Sequence, residues 1–533
     1  MRAMVSPTAQ EPARTAVPWA IGGALLLFAI CFYRNAWVVD EAYVFFRTTE
    51  NLFDGYGLRW NVDERVAAYT SPLWLLLTSI VRLFVSNPFY GVLLLSFVTS
   101  LAAFALFAGS LPSAERWKAA VFVFCCACSK SIVDFSSSGL ETPLLYLLAA
   151  GFIWWLARTD TPSSDAPAVW AVPLGMLSLA FLTRPDAVLL FGPACALLLI
   201  RCRRSVISQP LWIAAALAPA IAWCVFAWIY YGFVFPNTAY AKLFCTGLGF
   251  DDKVRFGLRY LQQGLTADAP IFVWIAIAFL ATVARRSALQ TLLLVGVVAS
   301  FGYLLLGAAS STHMAGKLIA APLFLGLTVA VQTLRTTRQG LAAVSVFAVF
   351  TLISPMSPLK SATSWYSTPW TVGEDFFDTK EAAHLSGAAL LGWSLHPDMP
   401  IHRWYREGLA LKQSPKRVFF RRAIGFVAFA AGPDKHIVDL LGLSDPLLAR
   451  MPFDEHAQPK TRPGHFQRSL PEGYAASIRT GENHLKDPAL RAYYELLRSA
   501  TRRPIWDEQR LGDLIALNFE QGRCFEAADE PGE

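Results

Sequence analysis

The sequence predicts a polytopic α-helical membrane protein, with about eleven spanning helices followed by a small soluble α+β domain. Three observations carry that reading. Of 533 residues, 55% are apolar and only 16% are charged, more apolar surface than a water-soluble core can hide. The apolar residues fall in runs of near-spanning length, and the basic residues cluster in the short connections between them. After residue 354 the composition turns abruptly to Pro, Arg, Asp and His, with no further run long enough to span.

Residues 1–16 read as a disordered cytoplasmic tail. The run 17–34 lacks a small-residue cleavage site and is followed by Arg34 and Trp37, so it is expected to stay as a signal anchor. Further spans are expected near 89–110, 118–132, 142–158, 169–183, 186–200, 211–231, 270–284, 288–306, 317–333 and 340–354. The 15-residue stretch 71–85 carries Arg82 and reaches only ~22 Å, short of a ~30 Å hydrocarbon core. It is expected to lie along the interface, as is EAYVFFRTTENLF (41–53), which the Asp54-Gly55 turn ends.

That choice fixes the parity of every later segment. With the N-terminus inside, cytoplasmic connections hold Arg116, Lys118, Arg158, Arg201, Arg203, Arg204, Arg285, Arg286, Arg335 and Arg338, whereas the short outer ones hold only Lys130, Arg184 and Lys317. The asymmetry obeys the positive-inside rule and sends residues 355–533 outside. It also accounts for the net charge of +7 without nucleic acid as a partner. The domains are thus a transmembrane part at 17–354, with a first outer loop at 35–88, and an extracytoplasmic part at 355–533. Within the latter, 417–431 and 436–441 look like strands, and 486–500 and 506–520 have helical spacing.

Six of nine cysteines lie in apolar runs and Cys202 sits among arginines, which leaves Cys245 and Cys524 as the two able to meet in an oxidising compartment. The triplet Cys125, Cys126, Cys128 has no companion histidine or second spaced pair, and reads as helix packing rather than as a metal site.

The side chains suited to chemistry fall on the outer side. Asp40 and Glu41 stand at the end of the first span, where low dielectric and like charge raise the proton affinity of at least one carboxylate, a setting for a general base. As plain helix caps they would be equally ordinary. Glu141, in SSSGLETPLL (136–145), opens the next outer-facing helix, and Arg184-Pro185-Asp186 turns between two others. Lys242, His313 and Lys317 complete a ring of cations able to hold a phosphate leaving group as its charge grows. Any one of them alone is a snorkelling or loop charge. Asp54-Gly55-Tyr56-Gly57 lacks the preceding strand and the glycine spacing of a nucleotide loop, so a lipid-linked donor fits better than a sugar nucleotide. No ligand cluster for a metal is evident, and the acid pair can hold a divalent cation or none.

The stretch DEAYVFFRTTENLFDGYGLRWNVDERVAAYTSPLW (40–74) resembles the first outer loop of the GT-C glycosyltransferases, in the subgroup of terminal arabinofuranosyltransferases. The matching positions there are Asp40, Glu41, Ala42, Tyr43, Arg47, Asn51, Gly55, Gly57, Trp60, Asn61, Glu64, Val66 and Tyr69 to Trp74. Further matches are Gly139 to Thr142, Arg184 to Asp186, Pro236 to Lys242, Val438 to Pro446, and Arg462 with Gly464-His465. The resemblance implies an inverting transferase of the bacterial inner membrane that uses a polyprenyl-phosphate sugar, often arabinofuranose, with an envelope glycan or glycoprotein as acceptor. Asp40 would be the base, with Glu41 and Glu141 beside it. Arg47, Arg184, Asp186, Tyr240, Lys242, His313 and Lys317 would bind donor phosphate and sugar. The chain departs from the pattern at Glu41 for a second Asp, Ala68 for Gly, and Ser310 to His313 with Lys317 for Gly-Gly-Asp and Arg. These changes bear on donor recognition and leave the base intact. Two other readings are a non-catalytic assembly factor of the flagellar motor-control kind, and a lipid or solute transporter. The latter is expected to carry charges near mid-bilayer and paired halves, neither of which is evident.

Overall fold

The structure is a computed structural model that describes residues 11–159, 166–307, 316–360, 387–391, 399–453, 466–520 and 524–525. The helices follow in the order α1 (Glu11–Asn35), α2 (Ala42–Phe53), α3 (Pro72–Arg82), α4 (Pro88–Gly109), α5 (Trp117–Cys128), α6 (Lys130–Ser136), α7 (Thr142–Arg158), α8 (Ala168–Thr183) and α9 (Val188–Arg201). Then come α10 (Arg203–Ser208), α11 (Pro210–Tyr231), α12 (Asn237–Ala239), α13 (Phe250–Ala284), α14 (Ala288–Gly307), α15 (Ala320–Gln332) and α16 (Thr337–Ile353).

Each expected span falls on one of these helices, but length alone does not give eleven. Among the described residues α1, α4, α11, α13 and α14 are long and apolar enough to cross, and α5 with α6 make a sixth as a pair bent by 83° at Ser129. α7, α8, α15 and α16 are shorter apolar helices. α15 runs through the middle of the bundle, with residues 320–331 all buried, whereas α11 keeps only Ala216, Ala227 and Tyr231 from its surroundings. An apolar helix this exposed needs lipid around it. The chain is an integral membrane protein.

α3 exposes Leu76 and Ile80 on one face and buries Trp74, Leu75 and Thr78 on the other, as an interfacial helix should. α2 is different: Ala42 to Thr49 are all buried. What covers it is α18, in the C-terminal part, where the order is α17 (Arg403–Lys412), β1 (Val418–Arg421), α18 (Gly425–Ala431), β2 (His436–Asp439), α19 (Tyr474–Thr480), α20 (Pro488–Arg502) and α21 (Glu508–Ile515). Tyr43 meets Phe426 and Phe429 at ring separations of 4.5 and 5.3 Å. α2 is thus roofed by protein, not laid on lipid.

The strand expected over 417–431 is only four residues long. β1 pairs in parallel with β2, Val418 opposite His436 and Arg421 opposite Asp439, and the apolar run between them, GFVAFAA, coils into α18. A parallel pair needs a crossover, and a stretch rich in Ala supplies a helix. Arg462, Gly464 and His465 lie outside the described residues.

The Cys245–Cys524 pair is a disulfide with 5.4 Å between Cα atoms, closing a loop across 279 residues. Such a link contributes ~2–4 kcal/mol, chiefly by restricting the unfolded chain. Peptide mapping after thiol blocking is expected to recover 245 and 524 as a linked pair. Cys245→Ser should lower the melting temperature of the purified protein; an unlinked pair in protein taken from cells would contradict the assignment.

Candidate functional site

Two ends of the bundle differ in character. At one end Lys118 donates to Gln332 O and Arg285 to Thr333 O, so the basic connections share that end. At the other end, Val39 N–H donates to Ser138 O at 3.0 Å, Trp37 Nε1 to Asp134 O at 3.0 Å, and Trp74 Nε1 to Gly139 O at 3.1 Å. The first loop and the 129–141 turn are therefore on one side, which requires that α3 not be counted as a span.

At this second end is a cavity of about 600 Å³ lined by Asp40, Glu41, Glu141, Arg184, Asp186, Lys242 and Lys317, together with Tyr69, Tyr303, Trp404, Arg422, Leu441, Leu443 and Gln467. Of the ten residues expected to form a site, these seven share one space.

Asp40 reaches it because the chain leaves α1 pinned by Val38 N–H to Ala388 O and by the Val39 contact. Its carboxylate then turns to α18: Oδ2 accepts Gly425 N–H at 2.9 Å and Oδ1 accepts Phe426 N–H at 2.7 Å. A carboxylate has about four acceptor positions, and the N–H groups of residues 424–426 take three of them at most, which leaves one for the cavity. Residue 425 has to be glycine, since a Cβ there would lie 1.7 Å from Asp40 O. Burial raises the Asp40 carboxyl to about 7; the Phe426 N–H opposes this and Glu41 adds to it. Glu41 is the residue before α2 and Glu141 the residue before α7, and neither makes a side-chain capping bond. Glu41 therefore does not act as a side-chain cap, while Glu141 keeps its place as a charge at a helix N-terminus.

Glu141 is 2% exposed and stands 3.6 Å from Arg184 Nη1. Arg184 forks onto Asp186 through Nε at 3.1 Å and Nη2 at 2.9 Å. Burial works against the guanidinium charge, but Asp186 and Glu141 outweigh it and hold it charged. The proline turn therefore presents a paired cation.

Lys242 sits on a π-helical turn, Tyr240–Phe244, clamped to the C-terminal part. Arg468 donates to Ala241 O and Leu441 O, and Asn237 Nδ2 donates to Gly442 O at 2.9 Å and Asp445 O at 3.0 Å. Two stretches far apart in sequence, 235–243 and 438–446, are thereby fused. Burial and then Lys317 bring the Lys242 ammonium down to about 8, against the pull of Glu41 and Asp439. Asp439, raised to about 7 by burial, accepts N–H groups of Leu441, Leu443 and Ser444 beneath it. One wall is apolar, with Phe235, Leu243, Phe244 and Leu318.

Two expected residues are elsewhere. Arg47 faces away and donates to Ala428 O, Gly432 O and Lys435 O, tying down carbonyls at and beyond the end of α18. Tyr240 lies under the Arg450 guanidinium, 4.0 Å from its ring centre, in the C-terminal core. His313 is outside the described residues. The sequence reading missed Trp404, Arg422 and Gln467 as lining residues, and missed the two backbone donors of α18 altogether. The apolar run 424–431 was the only trace of the latter. Among the described residues no three His, Cys, Asp or Glu side chains gather as metal ligands.

This arrangement, a half-buried acid gripped by a helix start opposite paired cations at the mouth of a helical bundle, can be compared with known folds. The crystal structure of ArnT from Cupriavidus metallidurans bound to undecaprenyl phosphate matches 85% of this chain and 90% of its own, with a TM-score of 0.50 and 13% sequence identity. The chain has a GT-C-like fold. The terminal beta-(1->2)-arabinofuranosyltransferase of Mycobacterium tuberculosis is 28% identical over 271 residues, 48% of this chain and 42% of that protein. Its namesake from Corynebacterium glutamicum is 27% identical over 330 residues, 55% and 47% respectively. The matches thus span under half the length of these relatives, and no protein-family model matches the chain. The resemblance drawn from 40–74 is borne out by these GT-C and arabinofuranosyltransferase likenesses.

Proposed function

We propose that this GT-C-like protein is a glycosyltransferase that moves a sugar, arabinofuranose in the leading reading, from a polyprenyl phosphate to an envelope glycan or glycoprotein. The observation that carries the reading is that Asp40 faces the same cavity as Arg184, Lys242 and Lys317. The acceptor hydroxyl oxygen forms a bond to the anomeric carbon as the bond from that carbon to the phosphate oxygen breaks. Polyprenyl phosphate departs with the bonding pair, the anomeric configuration inverts, and Asp40 ends with the hydroxyl proton. Lys242 and Lys317 neutralise the charge that grows on the phosphate, and Arg184, held by Asp186 and Glu141, adds to the positive field. The relatives' names support the sugar and the ArnT complex supports the lipid carrier.

The same reading puts the cavity and residues 355–533 on the extracytoplasmic face. Support comes from the basic connections at the opposite end of the bundle and from the Cys245–Cys524 disulfide, which persists in oxidising compartments.

The test compares envelope glycans and glycoproteins of a deletion strain complemented with the wild-type or the Asp40→Asn protein, expressed to equal levels. A sugar residue lost on deletion should return with wild type and stay absent with Asp40→Asn. Restoration by the variant would favour the assembly-factor reading, and no missing sugar in any strain would end the enzymatic one.

A further inference from the structure

The segment after α20 carries an apolar stripe that neither the cavity nor the C-terminal core uses. On α21 and the π-helical turn Ala516–Glu520 that continues it, Leu511, Ile515 and Phe519 recur every four residues and are 37%, 50% and 77% exposed; Trp506, just before, is 74% exposed. Arg510, Leu514 and Leu517 point the other way and are buried. Gln509, Asp513 and Glu520 form the remaining edge. One flank of this helix is thus protein-covered, one apolar beyond Glu508 at its first turn, and one polar.

Its position decides what the apolar flank meets. Arg510 Nη2 donates to Ile229 O at 2.7 Å and Tyr230 O at 3.3 Å, and Asn518 Nδ2 donates to Gly232 O at 2.9 Å. These are the last carbonyls of α11, a spanning helix whose 18-residue apolar window is only 6% buried by protein. Gly232 leaves α11 with φ +86, and a Cβ there would lie 2.6 Å from Leu514 Cδ2. α21 is therefore docked at the end of a lipid-clad helix through Arg510 and Leu514, and its stripe is left uncovered beside that end. At the same level, Gly57 abuts Tyr230 Oη, and its neighbour Tyr56 is 41% exposed.

We propose that α21 and its continuation lie in the boundary between headgroups and acyl chains, and anchor the C-terminal part of the chain to the bilayer beside α11. Tryptophan and tyrosine favour that depth, and a helix apolar on one flank and polar on the other lies along it. The contact is apolar. It needs no anionic lipid, since the polar edge carries Asp513 and Glu520, and it holds whether or not the chain transfers sugar.

The test uses the full chain in phosphatidylcholine vesicles, with spin labels at Leu511→Cys, Ile515→Cys, Phe519→Cys or Asp513→Cys in a Cys224→Ser background. Collisions with oxygen should exceed those with a water-soluble nickel complex several-fold at 515 and 519, with the reverse at 513, and high salt should change neither. Nickel access at all four sites would overturn the proposal. So would exclusion of both reagents from 511, 515 and 519, the signature of a second copy or another protein on the stripe. The unsubstituted chain offers an independent measurement: a phosphatidylcholine bearing a photoactivated carbene source near the glycerol end of its acyl chain should label the peptide containing Leu511, Ile515 and Phe519. Absence of label there, with label on α11, would overturn the proposal as well.

Discussion

Asp40→Asn is expected to lower turnover by ~10²–10⁴-fold, the usual contribution of a positioned general base, with little change in affinity for the lipid-linked donor. Asparagine keeps the size of the side chain and one acceptor oxygen but cannot take the hydroxyl proton. It also turns an amide toward one of the two N–H groups of Gly425 and Phe426. On the proposed function, the pH profile of the wild-type protein tests the same role. Asp40 must be ionised to act, and its carboxyl is raised to about 7, so the rate should climb through that value. Lys242 must be charged to hold the leaving phosphate, and its ammonium is lowered to about 8, so the rate should fall above it. A narrow bell between those limbs is the expected result, measured with a purified protein and a polyprenyl-phosphate sugar. A rate flat from pH 5 to 9, or Asp40→Asn turning over within threefold of wild type, would remove Asp40 from the chemistry.

Gly425→Ala should be nearly as damaging, though it introduces no charge and touches no substrate. The added methyl would lie 1.7 Å from Asp40 O and 2.6 Å from its carbonyl carbon, so the first loop and α18 must part. Overpacking of this kind costs ~1–3 kcal/mol of stability, and the separation removes both N–H donors from the carboxylate. Melting temperature and turnover are therefore both expected to drop. Gly249→Ala is the control: nothing lies within 4 Å of that position and it touches neither Asp40 nor α18, so turnover should stay unchanged, with only the small stability loss of a weaker N-cap on α13. Wild-type turnover in Gly425→Ala would show that the clamp on Asp40 is dispensable.

Much of this was legible in the residues because the physics involved is local or one-dimensional. Apolar runs, the shortness of 71–85 and the uneven placement of arginines and lysines dictate which segments meet lipid and which loops share a side. Parity puts Asp40, Glu41, Glu141, Arg184, Asp186, Lys242, His313 and Lys317 on one side, and excluding cysteines in apolar runs leaves Cys245 and Cys524 as the two able to meet. The tertiary structure alone decided what depends on contacts between distant segments. Arg47 stands seven residues from Asp40, about two helical turns along the same face, and so meets carbonyls at and beyond the far end of α18 and not the cavity at its start. Tyr240, two residues from Lys242, is claimed by Arg450. α2 has the composition of an interfacial helix but is buried, because an apolar face accepts protein or lipid alike and only the position of α18 settles which. The donors that grip Asp40 are backbone N–H groups, present at every residue but proline, so no side-chain pattern could single out Gly425 and Phe426. A sequence specifies where charge and apolar surface lie along the chain; which partners those surfaces find is set by how a chain folds back across a separation of 385 residues.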